Sequence, residues 1–265
     1  MFKLRNLFRS APSAPPPAVP AGSRVYAVGD VHGCLDLLDA LSRAIEEDDA
    51  ARGQADTTII LLGDLVDRGP DSAGVLAFVR AWAKRRRVRI LMGNHEEMFL
   101  DSFEKTEVLR AFLRFGGKET LLSYPIDPAT YAAADIEETQ ALMRAAVPQA
   151  DLDFMRGFED SIAIGDYLFV HAGIMPGLPL EAQKKADLRW IRQPFLDHAQ
   201  PFGPVVIHGH TIYDRAEVRS NRIGIDTGAY QSGRMTALGL EGTDRWLLEA
   251  QQTDGAITVA QRRLS

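Results

Sequence analysis

Short apolar runs alternate with amphipathic segments over the first third of the chain. Residues 24–28, 57–62 and 88–92 are mostly apolar runs whose length is typical of buried strands. Between them, residues 35–46 and 72–84 carry apolar side chains at helical spacing. Strands that alternate with helices in this way predict an α/β architecture.

After residue 99 the pattern changes twice. Residues 99–160 are rich in Glu, Ala and Arg and have a mostly helical pattern. The rest of the chain is rich in β-structure, because seven strand-like runs follow, at 161–164, 167–170, 205–207, 222–225, 235–240, 246–249 and 257–261.

The first 22 residues have a different composition from the rest. They begin with a basic, faintly amphipathic stretch and continue as a Pro/Ala-rich run at 11–21. This composition predicts a disordered tail over 1–22, followed by one domain over 23–265. A weak surface anchor for a membrane or a partner is the alternative.

Polar side chains follow five of the predicted strands, at the point where each strand ends. Ligands and catalytic groups of α/β proteins collect at the carboxyl ends of strands, so these side chains are expected to meet. In chain order they are Asp30 and His32, Asp64 and Asp67, Asn94 and His95, His171, and His208 and His210.

Carboxylates and imidazoles are ligands that suit manganese, iron and zinc ions. A carboxylate can bridge two such cations about 3.5–4 Å apart. A pair of cations holds the attacking and leaving oxygens of a phosphate ester and lowers the pKa of a bound water molecule. The polar strand ends therefore indicate hydrolysis of phosphate esters with two metal ions.

Five motifs occur in a fixed order: GDVHG at 29–33, GDLVDRG at 63–69, GNHE at 93–96, HAG at 171–173 and HGHT at 208–211. Together they resemble the signature of the phosphoprotein phosphatase branch of the calcineurin-like metallophosphoesterases. The resemblance covers about residues 24–240. Any single motif is weak, whereas five in order are a specific signal.

The resemblance implies a fold, a metal centre and a mechanism. The implied fold is an α/β sandwich of two mixed β-sheets flanked by helices, with residues 99–160 as a helical cap over the site. The implied mechanism is direct attack by a metal-bound hydroxide on the phosphate ester. Two divalent ions, Mn²⁺ first and Fe or Zn as alternatives, would be held by Asp30, His32, Asp64, Asn94, His171 and His210, with Asp64 as the bridge.

The resemblance also implies roles for residues beside the metals. His95 is similar to the general acid of the family, and Asp67 to the carboxylate that orients it. Arg68 is expected to bind phosphate oxygens, and Arg192 is the second candidate, with Arg189 as its competitor. His210 is taken as the ligand in HGHT, which leaves His208 as a supporting or core residue.

Three functions fit these motifs. A serine/threonine-type protein phosphatase is the first, and a symmetrical diadenosine tetraphosphatase is the second, since that enzyme shares GDVHGC and a late DTG, here residues 226–228. A non-enzymatic protein with a decayed site is the third, and the complete ligand set argues against it. Met92 stands where many members have an arginine.

Composition narrows the possible partners. The net charge of −6 does not indicate nucleic-acid binding, and no apolar stretch reaches the roughly 18 residues of a membrane span. A single cysteine excludes an internal disulfide framework and fits the cytoplasm. The expected partner is a phosphorylated protein or a small phosphoester.

Overall fold

Two mixed β-sheets form the centre of the computed structural model, which describes residues 15–264. In chain order the strands are Ser23–Val28 (β1), Asp56–Leu61 (β2), Val88–Ile90 (β3), Ser161–Ile164 (β4), Tyr167–Val170 (β5), Val205–His208 (β6), Glu217–Val218 (β7), Arg222–Gly224 (β8), Arg234–Glu241 (β9), Asp244–Thr253 (β10) and Ala256–Arg263 (β11). One sheet has the order β11-β10-β9-β1-β2-β3 and the other β4-β5-β6-β8-β7. This architecture confirms the predicted fold.

Both sheets combine parallel and antiparallel pairs. β1 is parallel to β2 and antiparallel to β9, while β6 is parallel to β5 and β8. Because parallel strands run in the same direction, the carboxyl ends of β1, β2 and β3 lie at one edge. The polar residues that follow these strands therefore start from neighbouring positions.

The central strands are buried on both faces. Tyr26 and Val28 of β1 belong to the core beneath the helices, whereas Val25 and Ala27 belong to the core between the sheets. Successive side chains point to opposite faces of a strand. A strand covered on both sides therefore reads as an uninterrupted apolar run.

The helices cover the outer faces of the sheets. Their bounds are Leu35–Ala51 (α1), Ser72–Ala83 (α2), Asn94–Ser102 (α3), Thr106–Phe112 (α4), Lys118–Ser123 (α5), Pro128–Ala133 (α6), Ile136–Ala146 (α7), Gln149–Arg156 (α8), Lys185–Trp190 (α9) and Ala229–Ser232 (α10). Asp71 caps α2 by accepting a hydrogen bond of 2.8 Å from the backbone N–H of Gly74. Within the described range, no helix is both long and apolar enough to cross a bilayer.

The helical segment between β3 and β4 packs mainly beside α2. Met143 of α7 and Met155 of α8 are buried in the same core as Val79 of α2. Hydrogen bonds to the strand-end loops come from a short stretch of this segment. Gly116 accepts one from the N–H of Arg68 at 3.0 Å, and Thr120 donates one to Asp67 at 2.6 Å.

Part of the predicted tail packs against the domain. Val19 is only 3% exposed and belongs to the core between the sheets, and its N–H donates to Gly242 O at 3.0 Å. Ala18 and Asp166 exchange two hydrogen bonds. An apolar side chain and paired backbone groups therefore hold this segment against the domain, which the Pro-rich composition concealed. Residues 1–14 of the predicted tail lie outside the described residues.

Candidate metal centre

The structure brings the predicted strand-end residues together. Asp30 and His32 follow β1, and Asp64 follows β2. Asn94 and His95 form the start of α3. His171 follows β5 directly, and His210 follows β6 after one intervening residue. All these side chains are at most 8% exposed: Asp30, His32, Asp64, Asn94, His95, His171 and His210.

Asp64 is shared between two groups of potential metal ligands. The first contains His32, Asp64 and His95, and the second contains Asp64, His171 and His210, with all ligand atoms of each group within 4.8 Å of one another. Asp64 Oδ2 lies 3.6 Å from His32 Nε2 and 3.4 Å from His171 Nε2. Such a carboxylate is placed to bridge two cations.

Asn94 and Asp30 complete the surroundings of these groups. Asn94 Oδ1 lies 3.0 Å from His171 Nε2, within the second group. Asp30 accepts hydrogen bonds of 3.1 and 3.2 Å from the N–H of His210. Burial and the neighbouring carboxylate of Asp226 raise the pKa of Asp30 well above its usual value. A bound cation would relieve this crowding of buried carboxyl groups.

Backbone strain is concentrated at the centre. A non-glycine residue with positive φ is uncommon and is retained where the surrounding structure demands it. Five of the six such residues within 15–264 belong to the strand-end motifs; they are His32, Asp64, Asp67, Arg68 and His210, with φ of 46°, 50°, 75°, 69° and 60°. The loops are therefore shaped to aim these side chains.

Glu96 holds two of the strand-end loops and was missed as a functional residue by the sequence analysis. Its buried carboxylate accepts hydrogen bonds from the N–H groups of Asp64 at 2.9 Å, Leu65 at 2.6 Å and Gly93 at 3.0 Å. Gly93 has to be glycine, because a Cβ atom there would overlap Asp64. The only signal for Glu96 was its place at the end of GNHE.

His95 is oriented by a buried carboxylate. Its Nδ1 lies 2.6 Å from Asp67 Oδ2, and Thr120 donates to the other oxygen of Asp67 at 2.6 Å. Burial lowers the pKa of His95, but the carboxylates of Asp64 and Asp67 together raise it by a larger amount. The pKa of His95 therefore lies above its usual value. The Nδ1 contact leaves Nε2 directed at the cavity.

Arg68 bridges two imidazole rings. Its Nη1 lies 2.9 Å from His32 Nε2, and its Nη2 lies 2.9 Å from His95 Nε2. A guanidinium group has donors only, so both imidazole nitrogens accept in this arrangement. Arg68 therefore lies beside both His32 of the ligand groups and the His95–Asp67 pair.

A cavity of about 360 Å³ opens onto these groups. Arg68, His95, Asn94 and His210 line it, and so does the exposed Arg192. Arg189, the other arginine that the sequence suggested for phosphate binding, lies elsewhere. It is paired with Asp160 at 3.0 Å and with Glu97 at 2.6 Å. Of the two arginines that the sequence left open, Arg192 is the one at the cavity.

His208 was predicted to be a supporting or core residue, and Asp226 had no predicted role. His208 is fully buried, with its ring centroid 5.1 Å from that of Phe195, and it belongs to neither ligand group. Asp226 follows β8, accepts from the N–H of Gly228 at 2.8 Å and lies beside Asp30. Its one sequence signal was the DTG at 226–228.

The donor set fits divalent cations. Two ligand groups of imidazoles share one carboxylate, and a second carboxylate lies alongside. His210 Nε2 is buried without a hydrogen-bond partner among the described residues, as expected for a ligand atom reserved for a metal. Imidazole and carboxylate together suit manganese, iron and zinc.

A two-sheet sandwich with an Asp/His/Asn centre at its strand ends defines a metal-dependent phosphoesterase. The sequence profile of the calcineurin-like phosphoesterase family matches residues 23–231. The chain belongs to this family and is a metal-dependent phosphoester hydrolase.

Individual relatives are named either as protein phosphatases or as dinucleoside tetraphosphatases. Serine/threonine-protein phosphatase 1 of Salmonella typhimurium is 31% identical over 218 residues, which are 80% of this chain and 89% of the relative. An asymmetrical bis(5'-nucleosyl)-tetraphosphatase of Bacillus velezensis is 26% identical over 231 residues, 79% and 86% of the two chains. The crystal structure of a cold-active protein tyrosine phosphatase shares the fold, with a TM-score of 0.57 and 22% identity over 91% of this chain and 81% of that chain.

Proposed function

We propose that this protein hydrolyses phosphomonoesters, with phosphoserine and phosphothreonine side chains of proteins among its substrates. One observation carries the proposal. Asp64 is shared by two buried ligand groups, and the His95–Asp67 pair lies directly beside it. This combination supplies metal binding and a proton donor at the same point.

Six residues would hold the two ions. Asp30, His32 and Asp64 would bind the first, while His95, which also lies in that ligand group, would serve as the proton donor. Asp64, Asn94, His171 and His210 would bind the second, with Mn²⁺ as the expected metal. When bound, such ions lower the pKa of a water molecule and neutralise charge on phosphate oxygens. The resident pair is proposed from the donor chemistry, which also accommodates iron and zinc.

His95 would protonate the leaving oxygen from Nε2. As water adds to phosphorus, the bond from phosphorus to the ester oxygen breaks, and that oxygen takes the proton. The products are an alcohol and inorganic phosphate, and the proton that the attacking water gives up replaces the one lost from His95. Asp67 fixes the orientation of the imidazole by its contact with Nδ1 at 2.6 Å.

Two arginines would bind the phosphate group. Arg68 already lies between His32 and His95, so a short movement brings its guanidinium to phosphate oxygens. Arg192 approaches from another wall of the same cavity. Planar guanidinium groups match phosphate oxygens in pairs, which suits the dianion of a monoester.

A symmetrical dinucleoside polyphosphate hydrolase is the second candidate. Its support is the DTG at 226–228 together with a 32% identical relative named symmetrical bis(5'-nucleosyl)-tetraphosphatase, from a Janthinobacterium species, over 57% of this chain and 44% of the relative. The first candidate is preferred because the proposed metal ligands, the His95–Asp67 pair and the two arginines of the cavity together suit a terminal phosphate.

A substrate comparison on one enzyme preparation tests the choice. Catalytic efficiencies are measured with phosphoserine and phosphothreonine peptides, p-nitrophenyl phosphate and diadenosine tetraphosphate, after loading with Mn²⁺, Fe²⁺ or Zn²⁺. We expect efficient hydrolysis of the monoesters and loss of activity with a chelator. A dinucleotide preference above about tenfold, equivalent to 1.4 kcal/mol, would replace the proposal with the second candidate. Full activity after chelation would contradict the metal mechanism.

A further inference from the structure

Exposed apolar side chains are concentrated at the mouth of the metal cavity. Within residues 15–264, eight large hydrophobic side chains are exposed, and four of them line this cavity. The four are Phe115, Trp190, Ile212 and Tyr230, and each comes from a different part of the chain. Single exposed apolar residues are ordinary, whereas a cluster around one opening indicates a binding surface.

Polar contacts position the Trp190 ring and the backbone of Phe115. Trp190 Nε1 donates to Glu97 Oε2 at 2.6 Å, and Glu97 Oε1 accepts from Arg189 at 2.6 Å. The backbone oxygen of Phe115 accepts from Arg68 Nε at 3.4 Å. The backbone of Phe115 is therefore linked to Arg68 of the site, and the Trp190 ring to the neighbouring Glu97–Arg189 pair. Rings that are ordered in advance lose little entropy when they bind a ligand.

Tyr230 lies beside two of the residues proposed to act on the phosphate group. The Cζ of Arg68 lies 4.9 Å from the centroid of its ring, and the centroids of Tyr230 and His32 are 5.3 Å apart. A substrate ring bonded to the ester oxygen, directly or through one carbon, would lie beside the phosphate. A nucleobase is held a ribose away from its phosphate. The position of Tyr230 therefore favours a ring close to the ester oxygen.

We propose that the aromatic rim, defined as Phe115, Trp190 and Tyr230 with Ile212, is a subsite for a planar aromatic leaving group. Aryl and arylmethyl phosphates would bind there, and a phosphotyrosine side chain is the corresponding group in proteins. Tyr230 would contact the substrate ring in an offset or edge-to-face arrangement. This inference rests on the proposed phosphomonoesterase function and specifies its preferred substrates.

A matched pair of substrates separates ring recognition from leaving-group chemistry. Benzyl phosphate and cyclohexylmethyl phosphate both release a primary alcohol of similar size, but only the first carries a planar ring. We expect the Mn²⁺-loaded enzyme to prefer benzyl phosphate by about two- to tenfold in kcat/KM. Tyr230→Leu should abolish this preference, and Tyr230→Phe should retain it. Leu178→Ala, an exposed apolar position away from the cavity, should leave both efficiencies unchanged.

Further arms make each outcome decisive. If Tyr230→Leu loses metal, Phe115→Leu serves as the second variant and should reduce the same preference. An unaltered preference in every metal-loaded rim variant would overturn the subsite. A loss confined to adenosine 5'-phosphate and diadenosine tetraphosphate would also overturn it, because the rim would then recognise a nucleobase. Failure of the proposed function is a different result, namely no hydrolysis of either matched ester by the loaded wild-type enzyme.

The protein form of the substrate has its own comparison. Phosphotyrosine and phosphothreonine versions of one peptide are compared in wild type and in Tyr230→Leu. We expect the variant to lose efficiency selectively on the phosphotyrosine peptide, by about two- to tenfold. Equal losses on both peptides would contradict a role in ring recognition.

Discussion

The two ends of β1 both bury charged side chains, but in opposite ways. At the amino end, Arg24 is fully buried and donates to Asp49 Oδ1 at 2.6 Å and to Glu241 Oε1 and Oε2 at 3.0 Å. At the carboxyl end, Asp30 lies among other buried carboxyl groups, and its pKa is raised by burial and by Asp226.

The difference separates structural from functional burial of charge. The cation at the amino end has carboxylate partners inside the protein, so the network stabilises the fold. The carboxylates of Asp30, Asp226 and Asp64 at the other end repel one another, and the backbone of Asp64 has a positive φ of 50°. Bound cations would offset the repulsion between these carboxylates. Buried carboxylates without cationic partners in the protein are therefore typical of a metal site.

Removing the shared carboxylate should have the largest effect. Asp64→Asn takes away the bridge between both ligand groups, so we expect loss of both metals and a fall of activity to the level of chelated enzyme. Metal analysis and steady-state assays check this. Asp39→Asn, at a carboxylate on the exposed side of α1, is the control and should retain both properties.

Loss of an outer ligand should be more selective. His210→Ala removes one member of the second group and none of the first. We therefore expect about one metal ion to remain per chain. Equal loss of both ions in His210→Ala would argue against two separable sites.

Removal of the proposed general acid should have the next largest effect on activity. His95→Asn is expected to lower turnover by about 10²–10⁴-fold while the metal content stays near normal. The defect should be smaller for esters with good leaving groups, since these need little protonation. Measuring aryl and alkyl phosphates side by side checks the idea, and an equal defect for both would exclude the general-acid role.

A substitution at the amino end of β1 should lower the stability of the protein and leave its turnover unchanged. Asp49→Asn weakens a network around a buried cation, so we expect a loss of about 2–3 kcal/mol in the free energy of unfolding at pH 7. Denaturant unfolding measures it, with kcat as the control. A comparable loss of kcat would contradict the separation of the two ends.

The same residue predicts a pH dependence. Burial raises the pKa of Asp49, but hydrogen bonds from Thr57, Arg24 and Arg86 together lower it by a larger amount. The pKa of Asp49 therefore lies below its usual value. Its stabilising contribution is then fully present above the unfolded-state pKa of about 3.9 and is lost as the pH falls through the folded-state value. The stability difference between wild type and Asp49→Asn should therefore shrink below about pH 4. A constant difference at lower pH would rule out this linkage.

Phosphate binding should give a smaller effect. Arg192→Ala is expected to raise KM by about tenfold, because Arg192 lines the cavity and would contact phosphate oxygens. Arg189→Ala should lower stability and change KM little, since that residue is paired with Asp160 and Glu97. The reverse pattern would return the phosphate-binding role to Arg189.

The segment before β1 should give the smallest effect. Val19→Ala removes two buried methyl groups from the core between the sheets, and we expect a loss of about 1–2 kcal/mol. Deletion through residue 21 should also lower the melting temperature, while deletion that ends at residue 14 preserves every contact that Val19 makes within residues 15–264. Equal melting temperatures for the two deletions would show that these contacts contribute nothing.

Local pattern was sufficient for much of the fold. Residues 25–28 of β1 and 59–61 of β2 are continuous apolar runs because both faces are covered there, and α2 has an apolar face and an Asp71 cap. The two-residue β7 was not predicted, since it is too short to show a period and forms only by pairing with β8. The burial of Val19 was concealed for a related reason, because its contacts are with residues far along the chain.

The sequence by itself determined the family, the α/β class and the residue types of the metal centre, because motifs at strand ends are short and local. Tertiary structure decided the partners of each side chain. It separated Arg192 from Arg189, placed Thr120 against Asp67 and Glu96 beneath two loops, and gathered the aromatic rim. These outcomes depend on groups distant in the chain meeting at one place, and distances of that kind are set by packing.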